Sequence, residues 1–127
     1  MTGKEKFETS ASWMYFLEGI LFIEFKPDSM VKVNHINEII EKRIELQQGK
    51  KVLVLVDIRD LWQADKESRK RAASKDMIEQ NIALAIITDS LPTRLLANFY
   101  MTFDKPDIPS KMFRTVEEGV EWLKSFE

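Results

Sequence analysis

KKVLVLVDIRDLWQADKESRKRAA, residues 50–73, decides how this chain is read. The run Val52–Val56 is apolar without alternation, ends in Asp57, crosses a short loop and enters a charged segment opening at Asp65. An apolar run of that length without alternation predicts a strand buried on both faces, as in a sheet whose connections are helices. Loops at the carboxyl ends of such strands are where open α/β sheets place their functional groups. The stretch carries no recognised catalytic motif.

Outward from it the chain alternates regularly. Toward the N-terminus, Trp13–Leu17 and Ile20–Lys26 are apolar, aromatic-rich runs joined by Glu18-Gly19, which predicts a hairpin that Pro27-Asp28 ends. From about Val31 to Gln48, Val33, Ile36, Ile40 and Ile44 recur at helical spacing, Ile39 and Leu46 widen the stripe, and Gly49 closes the helix. Beyond the buried strand, a helix over 66–79 is expected with Asp65 as N-cap, then an apolar strand Asn81–Thr88. Asp89 or Ser90 caps a third helix that tolerates Pro92 in its first turn and is expected to bury Leu91, Leu95, Leu96, Phe99 and Phe103. A short strand around Lys111–Arg114 follows the Pro106–Pro109 segment. Thr115 and Glu118 form a capping box for a final helix burying Val116, Val120, Trp122 and Leu123.

The order is β-β-α-β-α-β-α-β-α. It predicts an α/β domain with a mostly parallel five-stranded sheet and an N-terminal antiparallel hairpin, over residues 12–127, with 1–11 as a flexible N-terminus. Right-handed crossovers put all the connecting helices on one face if each strand adds beside the last. Both alternating residue sets of Val52–Val56 and Ile82–Ile87 are apolar. A second cover is therefore expected, from the final helix, the N-terminal segment or another subunit, and the last option makes a homodimer an expectation.

Composition narrows the function. The chain has 127 residues, 44% hydrophobic and 31% charged, with net charge −2 and no cysteine. One soluble domain is expected, with no general pull toward nucleic acid. Disulfides, thiolate metal sites and cysteine nucleophiles are excluded. The start MTGKEKFETSAS holds no apolar signal core, which sets a cytoplasmic expectation, and no window has the 18 or so apolar residues of a membrane span.

VLVLVDIRDL (52–61), KESRKRAA (66–73), LLANFY (95–100) and KPDIPSKMFRTVEEGVEWLKSF (105–126) carry a family resemblance. They resemble the STAS domain, the fold of the anti-sigma-factor antagonist SpoIIAA, and more closely the SpoIIAA-like or STAS/SEC14-like bacterial proteins of unknown function. Antagonists of that type carry Asp-Ser-[Ser/Thr]-Gly at the start of the helix after this strand, and a partner kinase phosphorylates the serine. Asp65 lies where the motif's aspartate would, but Lys66-Glu67-Ser68 follows it. The acceptor serine and the glycine are absent from their expected places, so the resemblance implies the fold without the kinase switch. It also implies that the surface around 57–71 faces a regulatory protein partner.

Several residues are candidates for chemistry or binding. Asp57 and Asp89 close neighbouring strands and, with Ser90 and Thr93, are the residue types that Mg²⁺-dependent phosphate chemistry uses. Their structural alternative is helix capping for Asp89 and pairing of Asp57 with Arg59 or Arg69. Lys66, Arg69, Lys70, Arg71 and Lys75 form a basic surface that suits an acidic partner or remains a solvated face, and Ser68 and Ser74 beside it are modification candidates. His35, the single histidine, reads as a surface residue. Asn98 and the aromatics Trp13, Tyr15, Phe16, Phe22 and Phe25 are candidates to line a pocket for a small apolar, lipid-like ligand. No phosphate-binding glycine loop, metal-ligand histidine cluster or catalytic triad is present, and no cofactor is implied. The leading expectation is a non-enzymatic STAS-like regulatory module. The alternatives are an apolar-ligand carrier and, last, phosphate chemistry at Asp57 and Asp89.

Overall fold

The structure, a computed structural model, describes residues 5–127. Eight strands alternate with five α-helices: β1 (Phe7–Glu8), β2 (Ser12–Leu17), β3 (Ile20–Phe25), β4 (Met30–Val31), α1 (Val33–Gln47), β5 (Val52–Asp57), β6 (Gln63–Ala64), α2 (Lys66–Ala72), α3 (Lys75–Ile78), β7 (Asn81–Ile87), α4 (Leu91–Phe99), β8 (Ser110–Phe113) and α5 (Val116–Lys124). A π-helical turn, Tyr100–Asp104, continues α4. The main sheet runs β1-β2-β3-β5-β7-β8, so each strand adds beside its predecessor. The pairs β1–β2 and β2–β3 are antiparallel and the three that follow are parallel.

That order dictates the layers. The helices α1, α2, α3 and α4 connect parallel neighbours and pack together on one face, over Met14, Leu21, Ile23, Val54, Leu84 and Ile86. The opposite face, Tyr15, Phe22, Leu53, Leu55, Ala83, Ala85 and Ile87, receives Leu123 and the half-buried Val116, Val120 and Trp122 of α5. The final helix is thus the second cover that two apolar strand faces demand. Gly119 lets it close: a Cβ there would lie 2.9 Å from Ile87 Cδ1 and 3.2 Å from Leu55 Cδ1.

The sheet has one strand more than the five expected, because Phe7–Glu8 pairs with Met14 and Trp13. Within the segment expected to be flexible, this strand is followed by the buried Thr9 and Ala11, while residues 1–4 lie outside the described residues. Thr9 and Ser12 join by backbone and hydroxyl hydrogen bonds, which fold the polar segment back along the hairpin. The helix expected over 66–79 is two helices. Ser74 breaks it, its hydroxyl donating to the Arg71 carbonyl at 2.6 Å. A two-stranded parallel ribbon, β4 with β6, crosses from the loop after β3 to the loop after β5; four residues in pairs carry too little pattern to be read from sequence. Among the described residues no helix is long and apolar enough to cross a membrane.

The largest departure is at α4. Leu91, Leu95, Phe99 and Phe103 were expected inside, yet they are 59%, 58%, 44% and 67% exposed. Thr93 and Ala97 are the buried positions instead.

Candidate functional site

Between the sheet and its crossover helices lies a cavity of about 110 Å³. Its walls come from β3, β5 and β7 (Ile23, Val54, Leu84, Ile86) and from α1, α2 and α4 (Ile36, Ile39, Ala72, Leu96, Ala97). The inward turn of small residues on α2 and α4 explains the space. Ala72 and Ala97 put short side chains on the inward side of these helices, and the space beyond their methyl groups belongs to the cavity.

One end of the cavity is polar. Arg43 of α1 is 0% exposed and lines it. Its Nε donates to Gln47 Oε1 at 2.7 Å, and its Nη1 and Nη2 donate to the carbonyls of Met77 and Gln80 at 3.5 and 3.3 Å. Burial pushes its pKa down to about 10. Asn81 stands on the same cavity wall because β7 is irregular there. Val52 pairs with Asn81 but the next residue, Leu53, pairs with Ala83. Simple alternation from Ala83, Ala85 and Ile87 would put Asn81 under α5. The extra residue, Ile82, turns it to the helix-covered face instead. Its Oδ1 is buried and makes no hydrogen bond.

The other end meets a surface groove of about 360 Å³ bordered by Trp62, Pro92, Leu95 and Phe99. Leu61, Ala64, Arg69 and Leu96 line both spaces. Arg69 closes the junction: Nη1 donates to the Ala64 carbonyl at 2.9 Å, Nε to Asp104 Oδ2 at 3.3 Å, and the guanidinium lies 4.6 Å from the Phe99 ring centroid. The π-helical turn sets Asp104 there, and Tyr100, whose hydroxyl donates to the Ala72 carbonyl at 2.9 Å, ties that turn to α2. Burial raises the Tyr100 pKa, with the Asp104 charge adding to it.

The sequence profile of a domain of unknown function, DUF7793, matches residues 14–127. The chain belongs to the DUF7793 family. Among curated proteins none matches it. The crystal structure of an uncharacterised DUF3478-family protein with a SpoIIAA-like fold, from Shewanella loihica PV-4, superposes with a TM-score of 0.60 at 11% identity, over 95% of this chain and 92% of that one. The DUF7793 domain therefore has a SpoIIAA-like fold. A protein of unknown function from Arthrobacter sp. FB24 aligns at 19% identity over 84% of this chain and 93% of that one, with a TM-score of 0.33.

The residues singled out in the sequence fall into separate places in this DUF7793 domain. Asp57 is held by Arg59, whose Nε and Nη2 reach its two carboxylate oxygens at 3.0 and 2.7 Å, and the Arg59 amide donates to it as well. Among the described residues no three Asp, Glu, His or Cys side chains gather as a metal site. Asp89 is exposed, and Ser90 is the residue that caps α4, accepting from the Thr93 amide at 3.3 Å. Asp65 caps α2 by accepting from the Ser68 amide at 2.8 Å, which holds its carboxyl below the usual range. Ser68 is not at the surface as a modification site needs: it is 1% exposed, donates to the Asp65 carbonyl and lines the cavity. Arg71 reaches Asn37 and Asp76 on the outer side of α2. Asn98 is exposed and does not line the cavity, because Thr93, Ala97 and Tyr100 share the inward side of the helix and Asn98 falls on another. His35 Nδ1 accepts from the Lys32 amide at 2.9 Å at the start of α1.

Of the aromatic hairpin only Phe25 lines the cavity. Tyr15 and Phe22 stack on the α5 side with ring centroids 5.0 Å apart. Arg43, Asn81 and Tyr100 went unread as site residues. Arg43 falls between Lys42 and an isoleucine in a charged stretch, and the irregularity that turns Asn81 leaves no mark in the sequence.

Proposed function

We propose that this domain is a non-enzymatic binding protein that takes a small apolar molecule between its sheet and its crossover helices. The cavity carries the reading: about 110 Å³ of largely apolar-walled space between the sheet and α1, α2 and α4. Protein interiors rarely leave such space, and dry apolar cavities of similar size take up benzene or xenon. The adjoining groove supplies a route in, past Arg69. A cytoplasmic setting belongs to the same proposal. Titrating isotope-labelled protein with toluene is expected to give saturable shifts of the Ile23, Val54, Leu84 and Ala97 resonances. Shifts confined to the surface, or none, would remove the reading.

A second reading, the regulatory module that binds protein, rests on a different observation. The outward side of α4 and of the π-helical turn that continues it presents Leu91, Leu95, Phe99 and Phe103, with Trp62 (66% exposed) bordering the same groove as Leu95 and Phe99. Contiguous exposed apolar surface of this kind marks interaction sites. The occupant to test first is a second copy of the chain, pairing through the same face. Sedimentation is expected to give a dimer that Leu95→Glu converts to monomer; a wild-type monomer across the concentration range would count against the homodimer.

A further inference from the structure

The polar end of the cavity is chemically incomplete in a way that specifies a ligand. A guanidinium has five N–H donors. Gln47 Oε1 and the Met77 and Gln80 carbonyls take three of those on Arg43, and the Met77 sulfur shares the Nη1 side at 3.6 Å. None of these acceptors carries a charge, and among the described residues Arg43 is in no ion pair. A fully buried cation without a counter-charge is costly, whereas completing it with a carboxylate restores what desolvation took away. Asn81, 5% exposed, lines the same cavity with its Oδ1 unpartnered. Half a turn of that amide exchanges its oxygen for its NH₂ at almost no change of shape, which presents a further donor. Of the other lining residues, Arg69 is paired with Asp104, the Ser68 and Tyr100 hydroxyls donate to the Asp65 and Ala72 carbonyls, and the rest are apolar.

We infer that the ligand is a small apolar monocarboxylate, its carboxylate received by Arg43 and Asn81 and its hydrocarbon part lying along Ile39, Val54, Leu84 and Ile86. This rests on the apolar-ligand reading and adds the head group to it. A planar two-oxygen anion matches the fork of a guanidinium, and the contacts it would supplant, to the Met77 and Gln80 carbonyls and the Met77 sulfur, are long at 3.5, 3.3 and 3.6 Å. A phosphate would bring extra charge, and the other cation on the walls, Arg69, already has its counter-charge in Asp104. The volume sets the size: a cavity of about 150 Å³ holds benzene, so this smaller one encloses a short branched chain, or a single ring whose far edge reaches toward the groove past Leu61 and Leu96.

Calorimetric titration of the full chain with benzoate and, separately, with toluene tests the assignment without any mutation. Benzoate is expected to bind at least tenfold more tightly than toluene at neutral pH. The benzoate-to-toluene ratio is expected to fall tenfold or more in Arg43→Gln. If that variant does not fold, Asn81→Leu, which keeps the guanidinium, serves instead with a several-fold fall. Toluene binding as tightly as benzoate would overturn the carboxylate assignment and leave the apolar-ligand reading standing, as would a ratio unmoved by the variants. Binding of neither compound would overturn both.

Discussion

An amide oxygen buried without a hydrogen bond, as at Asn81, costs a fold about 1–3 kcal/mol. Asn81→Leu keeps the approximate shape and removes that unsatisfied acceptor, so we expect urea unfolding to show a gain of about 1 kcal/mol. A loss would mean that the amide is already satisfied. Arg43 should behave oppositely. Arg43→Met leaves the buried Gln47 Oε1 without its donor, while the Gln80 carbonyl keeps those of Gln47 and Val52, and a cost of about 2 kcal/mol is expected in the same assay. A residue that weakens the fold where a cavity meets its polar end is what a binding site costs a stable domain. Neither residue was legible in advance, and α1 shows why. Its stripe reads as Ile36, Ile40, Ile44, but the buried line runs Ile36, Ile40, Arg43, Gln47, and Ile44 is 59% exposed. Both lines are helical spacings, and hydrophobicity alone chooses the wrong one at the last step because the cavity's polar groups lie on the inward side.

At the scale of elements, the caps were the most legible feature: Asp65, Ser90 and Thr115 each accept from the amide three residues on. Their chemistry is local, so it survives any tertiary arrangement. The face that a helix buries is not local. In α4 the large apolar side chains follow one spacing and Thr93, Ala97 and Tyr100 another; the chain buries the smaller set and leaves room for the cavity. Opposite, α5 has no spare room. Glycine at 119 brings it against Ile87, Leu55 and Ala85, where an added Cβ meets a movable side-chain end at 2.9 Å. We expect Gly119→Ala to stay within about 1 kcal/mol of wild type, since the helix gains what the shift costs. Gly119→Val should cost about 2–3 kcal/mol by overpacking. Equal stability for the two variants would show that α5 stands farther off the sheet.

For the whole molecule, the two tyrosines of the chain report on integrity. Burial, then the hydrogen bond to Glu24 at 2.6 Å, raises the Tyr15 pKa; burial and the Asp104 charge raise that of Tyr100. A phenol whose pKa is raised in the folded state contributes stability that is complete below its unfolded value, about pH 10, and lost as pH climbs through the folded one. Tyrosinate absorbance should therefore stay flat past pH 10 and then rise together with the loss of circular dichroism. Tyrosinate appearing near pH 10 with the dichroism intact would show that the hydroxyls reach solvent. The two-sided sheet is legible because Val52–Val56 has no polar side to expose, but the sequence leaves three covers open and only the fold selects α5, and the ribbon β4–β6 depends on a meeting of loops that no short motif announces. The strand order has a consequence for the chain as it leaves the ribosome. Every parallel strand docks onto one already made, so β2 through β8 can assemble in the order of synthesis. Until α5 emerges, however, Leu53, Leu55, Ala83, Ala85 and Ile87 form a bare apolar plane. The nascent domain is thus sticky for as long as residues 116–124 remain in the exit tunnel, and a holding chaperone would find its footing on that plane.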